Sequence, residues 1–246
     1  MNVASDIPPP EARPLLSAVI PTLNEADNIA ACLGALTEGA GELIIADGGS
    51  SDNTASIASH FNVRWIETDR GRGTQLAAGG IAASGEWLMF VHADTVLEVG
   101  WQNAVTEFIN EVGEDEIAGV FSYRNDLNGV GGKLLECCVA WRTALGLPYG
   151  DQGLLIGRRY YNRLGGFRDL PIMEDVELIR RLRRKGALTT LPVPAITSAR
   201  RWKKHGVLYT TLINQCCIIG YFLGVSPDRI ARWYGRKVRS KHGADQ

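Results

Sequence analysis

Several features that stabilise or route a protein are scarce in this sequence. Its five cysteines, Cys32, Cys137, Cys138, Cys216 and Cys217, are odd in number, include two adjacent doublets and form no C-x-x-C pair. That spacing argues against a disulfide framework or a zinc site, and implies reduced thiols in a cytoplasmic setting. Met1–Pro14 is polar and proline-rich, with no apolar run to serve as a secretory signal. The longest apolar stretch, Val207–Val225, contains Asn214 and Gln215 and is barely long enough for a bilayer span. It reads as a buried or interfacial helix. There is no internal repeat, and no G-x-x-x-x-G-K-[ST] phosphate loop. Arg70-Gly-Arg-Gly73 has Leu76 where a dinucleotide fingerprint needs its third glycine.

What is present is a globular mixture. The 246 residues are 45% hydrophobic and 22% charged, which suits one large domain or one domain with an appendage. The net charge of −1 conceals an asymmetry: residues 1–177 carry 11 Lys+Arg against 25 Asp+Glu, and residues 178–246 carry 15 against 2. The halves are thus −14 and +13. A basic end suggests an anionic partner, or a solvated helix face that pairs with the acidic half. A nucleic acid is the weakest such partner, because the basic residues lack interleaved aromatics.

Short apolar runs alternate with helical spacing through the first half. Strands are expected at Leu16–Ile20 (stopped by Pro21), Leu43–Ala46, Val63–Ile66 and Trp87–Val91. Helices are expected at Asp27–Leu36 with Asp27 as N-cap, at Thr54–His60 and at Gln75–Ala83. This β-α-β-α-β-α-β order implies a parallel sheet covered on both faces. Further on the pattern predicts helices at Trp101–Val112, Lys133–Leu145, Val176–Lys185, Val207–Leu223 and Pro227–Arg239. It predicts strands at Ala118–Tyr123, Leu154–Ile156, Leu188–Leu191 and Ile196–Ser198.

Ligands of such sheets bind beyond the carboxyl ends of the strands. Four polar clusters fall there in succession: Pro21-Thr-Leu-Asn-Glu25, Asp47-Gly-Gly-Ser-Ser-Asp52, Asp69-Arg-Gly-Arg-Gly73 and His92-Ala-Asp94. Each alone also reads as turn chemistry. Asp47 suits an Asx-turn with glycines at positive φ, Glu25 a helix entry, and Arg72 a solvated rim. Asp175 suits a helix cap, and Gly150-Asp-Gln-Gly153 and Gly165-Gly-Phe-Arg168 suit glycine turns. Four clusters at one rim point to a site.

With Met173-Glu-Asp-Val176, these motifs stand in the order and spacing of family 2 glycosyltransferases, which the chain resembles over about residues 15–205. That family contains inverting, sugar-nucleotide-dependent enzymes of the GT-A fold. The resemblance implies an α/β, Rossmann-like, mostly parallel sheet flanked by helices. It divides the chain into a tail at 1–14, a catalytic domain at 15–205 and a helical extension at 206–246 that packs on the domain or a membrane interface. It implies a nucleoside diphosphate sugar as donor, a UDP-sugar first, and an unidentified hydroxyl as acceptor.

By the same resemblance Asp47 and Gly48 hold the base of the nucleotide, with Pro21, Thr22, Asn24 and Glu25 beside the nucleoside. His92-Ala93-Asp94 occupies the place of the family's Asp-x-Asp metal motif, with His92 replacing the first Asp and Asp94 nearest the cation. A divalent cation, Mn²⁺ or Mg²⁺, is the implied cofactor, because the leaving diphosphate carries charge that must be neutralised. Arg72, at a helix N-terminus, would receive that diphosphate. Asp175 would be the base that deprotonates the acceptor hydroxyl, and Glu174 would position it. Asp151 and Gln152 would meet the acceptor or donor sugar, and Arg201 and His205 would close on the metal or diphosphate.

The C-terminal helices mix Leu208, Leu212, Ile213, Ile218, Ile219 and Phe222 with a later basic run, Arg229, Arg232, Arg236, Lys237, Arg239 and Lys241. They suggest an anionic membrane surface as a partner and a lipid-linked acceptor, with the protein cytoplasmic or peripheral at the inner face of the membrane. Two other functions were open: a sugar-1-phosphate nucleotidyltransferase, which should have a glycine-rich loop after the first strand, and a degenerate nucleotide-sugar-binding scaffold, for which His92 leaves room.

Overall fold

The computed structural model of the protein describes residues 15–113, 116–127, 129–144, 148 and 150–234. The expected tail at 1–14, the basic run from Arg236 to Lys241 and the end of the helix expected to reach Arg239 lie outside the described residues. Among those described, no helix is long and apolar enough to cross a membrane.

The first half follows the alternating pattern. Strands β1 (Leu16–Thr22), β2 (Glu42–Asp47), β3 (Arg64–Glu67) and β4 (Trp87–Phe90) are separated by helices α1 (Ile29–Leu36), α2 (Thr54–Ala58) and α3 (Arg72–Ala82). They pair in parallel in the order β3-β2-β1-β4. The chain then adds β5 (Thr95–Leu97), α4 (Trp101–Val112), β6 (Ile117–Asn125), α5 (Val130–Ala144), a 3-10 turn at Gly150–Gln152, β7 (Leu154–Gly157) and α6 (Arg158–Leu164). It ends with α7 (Glu174–Lys185), β8 (Ala187–Thr197), α8 (Arg200–His205), α9 (Val207–Phe222) and α10 (Pro227–Trp233). The eight strands form one sheet, ordered β3-β2-β1-β4-β7-β6-β8-β5. β7 runs antiparallel to both β4 and β6, and β5 antiparallel to β8, so the second half is mixed where the strand pattern suggested parallel. Helices cover both faces, as an α/β fold requires.

Alternation along the strands divides the core. Ala18 and Ile20 of β1 and Leu43 and Ile45 of β2 face α1 and α4, whose Leu33, Leu36, Trp101 and Phe108 complete one layer. Val19 and Ile44 face the other way, against Leu76 of α3, Tyr160 and Tyr161 of α6 and Leu178 of α7. Burial on both faces explains why the strands read as unbroken apolar runs. A smaller cluster ties α9 and α10 to the stretch before α7, with Ile172, Met173 and Val176 packed on Cys217, Ile230 and Ala231.

Four local expectations are corrected. Pro21 does not stop β1, which continues to Thr22 paired with Asp47 of β2. Its missing N–H falls on the β4 side, where the last ladder bond is Val91 N to Val19 O, 3.1 Å. The two strands part there. Asp27 is not the cap of α1, because a turn closed by Asn28 N on Glu25 O delays the helix to Ile29. Asp175 is not the cap of α7 either; Met173, at φ 66, occupies that place and both acids fall inside the first turn. The two late strands are one, β8, in which the partner register jumps from Leu191 to Pro194. Pro192 cannot donate to a ladder, so the strand bulges past it. β5, α6 and α8 were not anticipated; each spans only three to seven residues.

Candidate active site

The strand order reverses between β1, which leads outward to β2 and β3, and β4 on its other side. Such a switch point leaves a crevice at the carboxyl ends of the strands. A cleft of about 1180 Å³ lies there, lined by Pro21, Thr22 and Glu25 after β1, Arg70 and Arg72 before and within α3, and His92, Ala93 and Asp94 after β4. Asp175 of α7 and Asp151 of the 3-10 turn line it too, as do side chains of α5, α8 and α9.

The loops after β1 and β2 are stitched together rather than open. Asn24, at φ 54, accepts Ser51 N at 2.8 Å on its side-chain oxygen, and its own N–H donates to Ser50 Oγ at 2.8 Å. Left-handed backbone is tolerated best by residues such as Asn. Asp47 is 3% exposed; its Oδ2 accepts Gly49 N at 2.9 Å and Ser50 N at 2.8 Å, and its Oδ1 accepts Ser50 Oγ. The Asx-turn is therefore real. Asn24, Asp47 and Gly48 shape the loop behind the cleft and do not line it. Gln75, which sequence reasoning missed, donates from Nε2 to Thr22 O at 2.7 Å and Ala46 O at 2.9 Å, pinning the ends of β1 and β2 to α3.

Two acidic pairs are each held by one arginine, and three of the four acids, Glu25, Asp94 and Asp175, line the cleft. Arg72, the first residue of α3, bonds the fully buried Glu174 through Nε and lies 3.6 Å from Asp175 Oδ2 through Nη2. Burial works against the Arg72 charge, but Glu174 and Asp175 outweigh it and hold the guanidinium protonated. Glu174 Oε2 is buried with no hydrogen-bond partner, so the carboxylate depends on Arg72 alone among described groups. Asp175 Oδ1 accepts its neighbour Val176 N at 2.8 Å, which leaves Oδ2 toward Arg72 and the cleft.

In the second pair Arg200 of α8 bonds Glu25 and reaches Asp94 Oδ2 at 3.5 Å. Asn28 Nδ2 donates to the second Glu25 oxygen at 2.8 Å. Burial and then the Glu25 charge lift Asp94 from the usual carboxylate value of 3.8 to about 6, against the pull of Arg200. Negative charge is thus concentrated at the mouth of β4. No three His, Cys, Asp or Glu among the described residues converge to hold a metal. Asp94, which lines the cleft, is the carboxylate there that could hold a cation whose other ligands come from a substrate or water.

The remaining expected residues divide. Asp151 lines the cleft, with Arg142 Nη2 3.3 Å from its Oδ1. Gln152 turns inward; it donates to Phe121 O at 3.1 Å and accepts from Thr143 Oγ1 at 2.9 Å, tying α5 to β6. That bonding uses both ends of its amide away from the cleft. Arg201 lines the cleft and lies over the Tyr234 ring, 3.6 Å from the centroid. His205 closes α8, with its side chain outside the described set. Arg200 was missed because nothing in Ala199-Arg-Arg-Trp distinguishes one arginine from the next.

The family model for Glycosyl transferase family 2 matches residues 17–171. A PGL/p-HBAD biosynthesis glycosyltransferase of Mycobacterium bovis (strain BCG / Pasteur 1173P2) is 40% identical over 111 residues, 41% of this chain and 43% of that protein. Glycosyltransferase AglE of Haloferax volcanii is 32% identical over 126 residues, 46% of this chain and 41% of that protein. The chain thus spans under half the length of these relatives. Among solved structures, Staphylococcus aureus TarS 1–349 in complex with UDP superposes with a TM-score of 0.59 at 16% identity, covering 75% of this chain and 60% of that one. Glucosyl-3-phosphoglycerate synthase from Mycobacterium tuberculosis, in complex with Mn²⁺ and UDP-glucose, gives 0.52 at 22% identity, covering 76% and 72%. At these identities the structures establish the shared fold.

Proposed function

The chain belongs to glycosyl transferase family 2 and is a glycosyltransferase, and from that premise we propose that it moves one sugar, with inversion, from a nucleoside diphosphate donor to an acceptor hydroxyl. A UDP-sugar is the donor best supported, since both TarS and the mycobacterial synthase are solved with UDP or a UDP-sugar. The observation that carries the reading is the convergence of Asp94 and Asp175 on one cleft at the strand switch point.

The nucleoside lies against Pro21, Thr22 and Glu25, on the loop that Asn24 and Asp47 hold in shape. The diphosphate lies between Asp94 and the N-terminus of α3, where Arg70 and Arg72 line the cleft. Asp94 would hold a divalent cation here, and such a cation would supply charge neutralisation to the leaving group. Asp175 accepts the proton of the acceptor hydroxyl as that oxygen attacks the anomeric carbon from the face opposite the diphosphate. The new C–O bond forms as the bond to the diphosphate breaks; the electron pair leaves with the nucleotide and the proton remains on Asp175. Glu174 is too buried to touch a substrate. Its work is to fix Arg72, and through Arg72 the carboxylate of Asp175. Asp151, which lines the cleft beside Arg142, meets a sugar hydroxyl. The basic C-terminal third suits an anionic membrane surface as partner and a lipid-linked acceptor.

Thermal-shift measurements with UDP, GDP, dTDP and CMP, with and without Mn²⁺, test the donor; a ligand that binds only the folded state raises its melting temperature. UDP with Mn²⁺ is expected to give the largest shift. No shift from any nucleotide, together with equal donor turnover by wild type and Asp175→Asn, would overturn the reading.

A further inference from the structure

Two helices that wall the cleft, α5 and α9, carry apolar stripes on their outer faces. On α5, Val130, Leu134 and Trp141 are 85%, 62% and 70% exposed. Steps of four and seven residues place them on one side of a helix. Leu135 and Val139 of the same helix are buried, so the stripe is a second apolar face and not the margin of the first. α9 repeats the arrangement: Leu212, Ile219 and Leu223, just past its end, are 57%, 56% and 79% exposed, while Thr210 and Cys217 are buried. None of its 16 residues is charged. Of the twelve large hydrophobic side chains exposed among the described residues, nine lie on α5, α9, Leu223 or α10. Single exposed apolar residues are ordinary, but paired stripes beside one cleft mark a surface that something covers.

The charge around them says what. Residues 178–234 carry eleven Lys and Arg against one acid, Asp228; Arg181, Arg200 and Lys203 pair with acids outside that stretch, while Lys204, Arg229 and Arg232 on the helices flanking α9 are exposed. A second copy of the chain would set this cationic region against itself. An anionic bilayer offers an apolar interior for the stripes and negative headgroups for the lysines and arginines. A 16-residue helix is roughly 24 Å long, short of the ~30 Å hydrocarbon core, so α9 would lie in the interface and not across it.

We propose that α5 and α9 seat the protein on an anionic lipid bilayer, beside which the cleft takes its acceptor from the membrane. The docking stands on the surface alone; only the role of the acceptor rests on the glycosyltransferase reading. The test is flotation of the full chain with phosphatidylglycerol–phosphatidylcholine vesicles and with pure phosphatidylcholine vesicles, at low and high salt. Wild type is expected to float with the anionic vesicles at low salt and to be released as salt rises. Leu134→Ser/Trp141→Ser and Leu212→Ser/Ile219→Ser lie off the cleft lining. Each is expected to cut the bound fraction roughly tenfold, since two apolar side chains no longer leave water, with melting temperature and UDP-sugar hydrolysis unchanged. Absence of flotation at low salt overturns the proposal, as does flotation that neither double variant weakens. Light scattering that finds a dimer dissociated by the α9 variant, without vesicle binding, assigns the face to a second copy and also overturns it. Nucleotide thermal shifts and hydrolysis are read separately, so a failed docking leaves the transferase reading intact.

Discussion

Asp94→Asn is expected to stabilise the free protein while removing its response to donor and cation. In the fold this carboxyl titrates at about 6 in place of 3.8, because it is buried and faces Glu25. A carboxyl with a raised folded value is a liability wherever it must ionise: the folded state holds its proton to higher pH than the unfolded chain does, so stability falls as pH rises from about 4 to about 6. Two pKa units correspond to about 3 kcal/mol at pH 7, and to about 1 kcal/mol at pH 4.5, where the folded state is still mostly protonated. Asparagine keeps the shape and carries no charge, so it should recover most of that difference. For a chain of this size about 3 kcal/mol is roughly 6–12 °C in melting temperature. The assay is thermal unfolding of wild type and variant in chelator at pH 7.5 and pH 4.5, followed by UDP-sugar and Mn²⁺ titrations at pH 7.5. The gain should shrink about threefold on acidification, and the ligand-induced shift of the variant should be lost. A variant no more stable than wild type at pH 7.5, or a gain indifferent to pH, refutes the account of the Asp94 environment.

Asp175→Asn should lower kcat about 10²–10⁴-fold with UDP affinity unchanged, measured by donor turnover and calorimetry; unimpaired turnover would remove it as the base. Arg72→Ala takes from the buried Glu174 carboxyl the only partner it has among the described groups, so unfolding should become easier by about 3–5 kcal/mol. Adding Glu174→Gln should restore part of that loss, and strict additivity in denaturant melts would deny the coupling. A Cβ at Gly73 would stand 2.5 Å from Arg168 O and 2.7 Å from Leu170 N, backbone that leads into the base segment. Gly73→Ala should therefore cost about 1–3 kcal/mol and lower kcat together with stability; an unaffected variant would show that this contact has slack.

The first half of the fold was legible because its period was. Apolar runs such as Leu43–Ala46, each followed by helical spacing, leave few arrangements once helices must cover both faces, and the parallel order β3-β2-β1-β4 follows. The second half gave no such signal. β7 is four residues long and wedged antiparallel between β4 and β6, and its apolar run is equally compatible with either direction. β8 reads as two strands because Pro192 and Pro194 interrupt it, whereas nine register pairs with β6 carry it through the interruption. Helix starts were displaced for a related reason. Asp27 and Asp175 have the composition of caps, but Glu25 O and the left-handed Met173 decide where the turns begin.

In the site, motif spacing identified the acids and Arg72, but missed Arg200 altogether and the pairing of Arg72 with Glu174. Glu25 and Asp94 lie in the loops after β1 and β4, so the rule that ligands gather at strand ends reaches them directly, whereas Glu174 and Asp175 begin α7 and were reached through the family resemblance of Met173-Glu-Asp-Val176. Arg72 falls under that rule as part of the cluster after β3, but the choice of its acidic partners does not, nor does Arg200, because an arginine side chain is long enough to reach any of several partners. Only the packing of α3 on α7 and of α8 beside β1 selects Glu174 for one and Glu25 for the other. The same packing reassigns Asp47 and Gln152. Their amide and carboxylate chemistry suits a ligand, yet neighbouring backbone groups take the bonds first. Each arginine restrains one acidic pair, Arg200 holding Glu25 and Asp94 and Arg72 holding Glu174 and Asp175. A bound diphosphate would compete for both guanidiniums at once, and loosening Arg72 would free Asp175 Oδ2 at the moment a donor is in place. Donor binding and base availability would then be coupled through Arg72, and the coupling should appear as a loss of donor-dependent rate in Arg72→Lys, which keeps the charge but not the fork.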